Sequence, residues 1–234
     1  MKFLVFSDIH GNAYVLEEFL KTISKIPYDN IFFLGDIFGY YYDQERCLTL
    51  LKQIENLIWL KGNHDEYAVK AYYGNIDSDK LVASYGHSYE GINGRFKKED
   101  IDFISALPSS YEFKKDGKRI VFFHGRPADT LEGRVYPDTE LTEEEFGKYD
   151  VIFLGHTHCK MDRIIGKTRV LSPGSLGQPR DGRGYGFIFY DDQAKKCNFI
   201  NINVDNSFLR NKIDEKDPKM QKLYDVLARE MKNA

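Results

Sequence analysis

Short apolar runs recur along the chain, and each ends in polar residues with lone pairs to offer. Phe3-Leu4-Val5-Phe6 leads into Ser7-Asp8-Ile9-His10-Gly11-Asn12, and Ile31-Phe32-Phe33-Leu34 leads into Gly35-Asp36. Leu57-Ile58-Trp59-Leu60 leads into Lys61-Gly62-Asn63-His64-Asp65. Ile120-Val121-Phe122-Phe123 precedes His124-Gly125, and Val151-Ile152-Phe153-Leu154 precedes Gly155-His156-Thr157-His158. Four consecutive apolar residues, rich in β-branched and aromatic types, predict strands buried on both faces. Such sheets place their ligands just beyond the carboxyl ends of the strands. Five ends of this kind point to one shared site.

Helical stripes lie between the runs. Ala13 to Ile26 is apolar at Val15, Leu16, Phe19, Leu20, Ile23 and Ile26. Gln44 to Ile54 carries Leu48, Leu51 and Ile54, and Glu99 to Leu107 carries Ile101, Phe103, Ile104 and Leu107 before Pro108 stops it. Thr142-Glu143-Glu144-Glu145 has capping-box spacing and opens a short helix. Asp217-Pro218 reads as an N-cap followed by a first-turn proline. It predicts a last amphipathic helix over 218–232 through Met220, Leu223, Tyr224, Leu227 and Met231. Arg169-Val170-Leu171, residues 186–190 and residues 198–204 read as further strands. Early strand–helix alternation with late strands predicts an α/β chain built on two sheets. Residues 66–98, with their tyrosines, glycines and weak helical periodicity, are the candidate for a flap over the strand ends.

Composition narrows the class. The 234 residues are 42% hydrophobic and 29% charged, ordinary for a soluble globular chain. No repeat, low-complexity tract or Pro/Gly linker divides them, so one domain over 1–234 is expected. A net charge of −3 argues against an extended nucleic-acid surface. The three cysteines form no CxxC pair, which argues against a disulfide framework or a structural zinc site and fits a reducing compartment. No apolar run reaches the length of a signal or membrane segment. A cytoplasmic location without membrane partners is expected.

Five of the six histidines (His10, His64, His124, His156 and His158) stand at the strand ends; His87 does not. With Asp8, Asp36 and Asn63 they form the ligand chemistry of borderline divalent ions: manganese, iron, nickel, cobalt or zinc. About seven ligands are too many for one ion and suit two ions roughly 3.5–4 Å apart sharing a carboxylate. Such a pair neutralises a phosphate and lowers the pKa of a bridging water toward about 7. The nucleophile is then hydroxide, and Ser7 and Ser172 need no catalytic role. Nearby residues have two readings each. Asn12 either bonds a phosphate oxygen or caps a helix. Arg180, in a Gly/Pro-rich turn, and Arg126 either touch substrate or are solvated or ion-paired. Tyr40, Tyr41 and Tyr42 either stack on a nucleobase or pack a loop. Cys159 reads as a neighbour of the last ligand pair and not as a ligand.

Asp8-x-His10, Gly35-Asp36, Gly62-Asn63-His64-Asp65, His124 and Gly155-His156-Thr157-His158 resemble, in order, the five-block signature of the calcineurin-like metallophosphoesterase superfamily. The blocks span residues 8–158, and Ser172-Pro173-Gly174-Ser175-Leu176-Gly177-Gln178-Pro179-Arg180 carries the likeness to about residue 190. The chain is most similar to small single-domain prokaryotic members of the YfcE type. The resemblance implies a four-layer α-β-β-α sandwich. It implies that Asp8, His10, Asp36 and His158 hold one ion and Asp36, Asn63, His124 and His156 the other, with manganese favoured. His64 would contact phosphate and protonate the leaving oxygen, with Asp65 orienting its ring. Protein phosphatases and symmetrical dinucleoside tetraphosphate hydrolases of this superfamily carry an arginine shortly after the second block. Gly35-Asp36-Ile37-Phe38-Gly39-Tyr40-Tyr41 has none, and Asp65 stands where the phosphatases have glutamate. A small nucleotide-like phosphodiester is therefore the expected substrate. A phosphomonoesterase or protein phosphatase, a nuclease, and a non-catalytic binding scaffold on the same fold are the alternatives. The oligomeric state is left open.

Overall fold

The computed structural model describes the backbone of residues 1–230 and the side chains of residues 1–227. Met231 and the end of the predicted last helix lie outside the described residues. Ten strands run in chain order: β1 (Lys2–Phe6), β2 (Asn30–Phe33), β3 (Leu57–Trp59), β4 (Ser110–Lys115), β5 (Lys118–Phe123), β6 (Val151–Leu154), β7 (Lys160–Ile165), β8 (Thr168–Pro173), β9 (Gly186–Asp191) and β10 (Lys196–Asn201). The helices are α1 (Ala13–Ile23), α2 (Gln44–Leu51), α3 (Asn63–Tyr72), α4 (Ser78–Tyr85), α5 (Ile92–Arg95), α6 (Lys98–Ala106), α7 (Glu143–Phe146), α8 (Ser207–Lys216) and α9 (Gln221–Glu230).

The strands form two five-stranded sheets, ordered β10-β9-β1-β2-β3 and β4-β5-β6-β8-β7. β1, β2 and β3 pair in parallel, as do β5, β6 and β8; the flanking strands are antiparallel. Strand residues divide by parity. Phe3, Val5, Phe32 and Leu34 meet Ile120, Phe122, Val151, Phe153 and Leu171 between the sheets. Phe32 and Phe122 stack there with centroids 3.8 Å apart. Leu4, Phe6, Ile31 and Phe33 turn outward onto α1, α2, α3 and α6. On the far side Val121, Phe123, Ile152 and Leu154 are covered by Val135, Leu141, Phe146 and Tyr149. That covering layer contains the single turn α7 and is otherwise loop. Burial on both faces is why these runs lack any polar alternation.

β4 and β7, which sequence patterning missed, are edge strands. Their exposed sides carry Glu112, Lys114 and Asp162, so neither reads as an apolar run. The Asp116-Gly117 pair in left-handed backbone (φ 50° and 76°) joins β4 to β5, and this hairpin signal was legible. β10 begins at Lys196, two residues before the predicted strand.

The C-terminal region differs most from expectation. α8 was not predicted, and α9 starts at Gln221 and not at Pro218. Asp217 is not its N-cap. Its buried carboxylate accepts from the Tyr42 hydroxyl (2.8 Å) and the His87 amide (3.0 Å), and meets His87 Nδ1 at 2.6 Å. It thereby ties the C-terminal segment to both the tyrosine loop and residues 86–89. Leu209, Ile213, Leu223 and Leu227 pack on Tyr40, Tyr41 and Tyr42. The tyrosine triplet is thus a packing surface for the helix pair. Among the described residues no helix is long and apolar enough to cross a membrane.

Candidate metal centre

The ends of β1, β2, β3, β5 and β6 converge, and the polar residues that follow them are almost wholly enclosed: Asp8, His10, Asp36 and His124 are fully buried. Asp8, His10, Asp36, His156 and His158 all have φ between 50° and 68°. Left-handed backbone is costly for residues with a Cβ, and such strain gathers where a fold must aim side chains. Hydrogen bonds between the strand-end loops hold these turns, among them Asp8 N to Gly35 O (2.9 Å), Ile9 N to Asp36 O (2.8 Å) and Gly155 N to His124 O (2.9 Å).

Backbone carbonyls set the histidine tautomers. His10 Nδ1 lies 2.6 Å from Phe38 O, His124 Nδ1 2.8 Å from Leu34 O, and His158 Nδ1 2.7 Å from Gln178 O. A carbonyl only accepts, so each Nδ1 carries the proton and each Nε2 a lone pair. Those lone pairs face other acceptors. His158 Nε2 is 3.3 Å from Asp8 Oδ1 and 3.1 Å from His10 Nε2. His124 Nε2 is 3.4 Å from Asp36 Oδ2 and 3.1 Å from Asn63 Oδ1. Asp8 Oδ1, Asp36 Oδ2 and His156 Nε2 are buried without a hydrogen-bond partner. In folded proteins buried polar atoms are nearly always paired, and three unpartnered atoms gathered at one spot call for a partner. Converging lone pairs with no donor among them are the donor set that a cation satisfies. Donor atoms of Asp8, His10 and His158 lie within 4.8 Å of one another, as do those of Asp36, His124 and His156, and those of His10, Asp36 and His64.

A calcineurin-like phosphoesterase superfamily profile matches residues 1–195, covering all five strand-end blocks. The chain belongs to this superfamily. The archaeal protein MJ0912 of Methanocaldococcus jannaschii is 29% identical over 223 residues, 86% of this chain and 87% of that one. A metallophosphoesterase from Sphaerobacter thermophilus superposes with a TM-score of 0.77 at 23% identity, covering 99% of both chains. The Escherichia coli phosphoesterase Yfce gives 0.50 at 16% identity, over 87% of this chain and 100% of that one.

Within this phosphoesterase fold, several residues take roles other than those expected. Asp65 does not orient the His64 ring. Standing in the first turn of α3, its carboxylate turns back to accept from the amides of Gly62 (2.9 Å), Asp36 (2.8 Å) and Ile37 (2.8 Å), stapling the second block to the third. The His64 ring is held instead by Tyr89, whose buried hydroxyl lies 2.7 Å from Nδ1. A methyl group at Gly39 (φ 86°) would collide with the same nitrogen, so glycine is required there. Residues 66–98 fold as helices that bring Tyr67, Tyr85 and Tyr89 around that ring.

Asn12 caps α1. Its Oδ1 accepts from Val15 N (3.4 Å), and one Nδ2 hydrogen is donated to Gly177 O (3.1 Å). Arg126 is drawn away into an ion pair with Glu145 on the α7 side. Arg180 stays at the centre, donating to Tyr40 Oη (3.0 Å) and Gln178 Oε1 (2.8 Å). Glu132 was not foreseen. It accepts from Asn63 Nδ2 (3.4 Å) and so fixes which end of that amide faces His124. Its loop carries no apolar or motif signal.

Burial, then the neighbouring Asp65 and Asp8 carboxylates, pushes Asp36 well above the carboxylate range. Burial also works against an ionised Asp8, but the imidazoles of His158, His124 and His10 hold its carboxyl far below that range. Burial, followed by nearby positive or imidazole groups, depresses His10, His64 and His158, and takes His156 down to about 3. These four histidines are neutral in the fold but titrate at ordinary values once unfolded. Below about pH 6.5 the unfolded chain binds more protons, and each such group costs roughly 1.4 kcal/mol per pH unit inside its window. Asp36 and Asp65, whose carboxyls burial pushes up, work in the opposite direction, as two groups against four. The melting temperature of chelated protein is therefore expected to fall steeply from pH 7 to pH 5. A flat profile by differential scanning calorimetry would contradict this account.

Proposed function

We propose that the chain is a hydrolase of small phosphodiesters that depends on two divalent ions. The observation that carries this reading is the set of unpartnered buried lone pairs on either side of Asp36. Asp8, His10, Asp36 and His158 would hold one ion, and Asp36, Asn63, His124 and His156 the other. Manganese is favoured among manganese, iron, nickel, cobalt and zinc. When bound, the ions supply positive charge to a phosphoryl group and acidity to a water nucleophile.

The protein's own groups do the rest. Glu132 presents the Asn63 carbonyl, and Asp65 fixes the spacing between the Asp36 and Asn63 turns. His64 protonates the leaving oxygen. Tyr89 and Gly39 close the Nδ1 edge of its ring, which leaves Nε2 as the working atom. An incoming phosphoester anion favours the protonated ring, offsetting the depression that burial imposes.

The withdrawal of Arg126 to Glu145 supports a diester over a dianionic monoester, which needs more neutralising charge. The cysteines Cys47, Cys159 and Cys197 are unpaired, which supports the cytoplasmic reading.

The deciding experiment chelates the purified protein, restores each ion separately, and compares bis-p-nitrophenyl phosphate with p-nitrophenyl phosphate. Turnover is expected only with metal, with the higher kcat/KM on the diester. Failure with all five ions would overturn the proposal. A preference for the monoester would move the assignment to phosphomonoesterase.

A further inference from the structure

We propose that the substrate carries a second anionic group, a phosphate or carboxylate, which seats between Arg180 and Lys222 one tyrosine ring away from the candidate metal centre. The inference rests on the phosphodiesterase reading and names its substrate class.

Arg180 and Lys222 converge on one side chain. The guanidinium lies 5.6 Å from the Tyr40 ring centroid, and the Lys222 ammonium lies 5.4 Å from the same ring and 5.2 Å from that of Tyr85. The two rings connect the cations to the catalytic cluster. Tyr40 stands edge-on to His10 at 4.8 Å and 5.1 Å from His64, and Tyr85 lies 4.6 Å from His64. Arg46, Arg95, Arg119, Arg126, Arg169 and Arg183 are each paired with a carboxylate. Among the described residues, Arg180 and Lys222 are in no ion pair, as is true also of Arg134, Arg163 and Arg210; Lys222 Nζ donates to Ser84 O at 3.4 Å. The Lys222 ammonium is drawn below its ordinary value by partial burial and then by the Arg180 charge. Two like charges facing one ring, neither of them ion-paired, fit an anion arriving from outside.

There is room for one. Arg180 and Lys222 line a cavity of about 260 Å³ together with Asp225 and Val226. That is roughly nine waters' worth of volume at about 30 Å³ each. Asp225 lines the same cavity but, among the described residues, forms no ion pair with either cation; its carboxylate accepts from Gln221 Nε2 at 2.9 Å.

The two cations come from different parts of the chain. Arg180 follows β8 within the superfamily-matched segment 1–195, whereas Lys222 belongs to α9 beyond it. Docking of α8 and α9 on Tyr40, Tyr41 and Tyr42 delivers Lys222 to the rim. The C-terminal helices thus add substrate selection to a hydrolytic centre they do not themselves build.

The test compares two matched diesters on metal-restored protein: thymidine 5′-(4-nitrophenyl phosphate), and the same compound with a 3′-phosphate. The 3′-phosphate is expected to raise kcat/KM about ten-fold or more, mostly through KM, as charge-assisted contacts do. Lys222→Met is expected to remove that advantage and Lys222→Arg to keep it. In metal-free protein, thymidine 3′,5′-bisphosphate is expected to raise the melting temperature more than thymidine 5′-phosphate, and Lys222→Met to erase the difference. A carboxylate-bearing analogue in place of the 3′-phosphate separates the two anion types. Equal kcat/KM for the matched pair would overturn this inference alone. So would a ratio unchanged in Lys222→Met, which would leave Lys222 a clamp on the tyrosines. Absence of turnover on both compounds would instead overturn the phosphodiesterase reading.

Discussion

Replacing Asp36 with asparagine is expected to abolish metal-dependent turnover while raising the melting temperature of the chelated protein. Asp36 is fully buried among the carboxylates of Asp65 and Asp8, and its Oδ2 has no hydrogen-bond partner. The substitution keeps what the fold uses, because Oδ1 still accepts from His64 N at 2.8 Å. It also repairs what the fold lacks. An amide nitrogen in place of Oδ2 faces the lone pair of His124 Nε2 at 3.4 Å and can donate to it. Satisfying a buried orphan is worth about 1–3 kcal/mol. At this chain length each kcal/mol moves the melting temperature by roughly 2–4 °C. Without the shared carboxylate, metal affinity and turnover should fall by at least about 100-fold, the loss that outer-shell partners of metal ligands alone can cause. The measurement is thermal unfolding with and without chelator, alongside turnover of bis-p-nitrophenyl phosphate. A chelated Asp36→Asn protein that melts below wild type would contradict the electrostatic account of the centre.

The second large effect belongs to His64. His64→Gln is expected to lower kcat about 10²–10⁴-fold, the usual contribution of a positioned proton donor. The size of the loss should depend on the leaving group. An alkyl leaving oxygen needs the proton and should suffer the full loss; p-nitrophenolate leaves readily without it and should suffer little. Metal content should stay at the wild-type level, because the two groups Asp8, His10, His158 and Asp36, His124, His156 remain intact. Loss of an ion in the variant would make His64 a ligand and displace it from the acid role. A leaving-group dependence no different from wild type would remove it from proton transfer altogether.

The two substitutions fall on neighbours in one site, His64 N donating to Asp36 Oδ1, yet the chain encodes their surroundings in different ways. The parallel strands announce themselves because both of their faces are buried, and their apolar runs need no partner to be recognised. Asp8, His10, Asp36, Asn63, His124, His156 and His158 stand out for the same reason, each lying within four residues of the end of such a run. Edge strands such as β4 and β7 are wet on one side and carry charge, so their pattern dissolves into that of loops.

What sequence by itself determined here is the set of strand ends and the chemistry placed at each, since burial on both faces and side-chain type are local properties. Tertiary structure alone decided where side chains point and what they meet. It turned Asp65 to the backbone of the second block, gave His64 to Tyr89 across 25 residues, committed Asn12 to its helix and sent Arg126 to Glu145. It also brought Lys222 over the ring of Tyr40. A polar group's partner is fixed by directional bonds between surfaces that meet only after the sheets pack and the C-terminal helices dock, and no local pattern along the chain records that meeting.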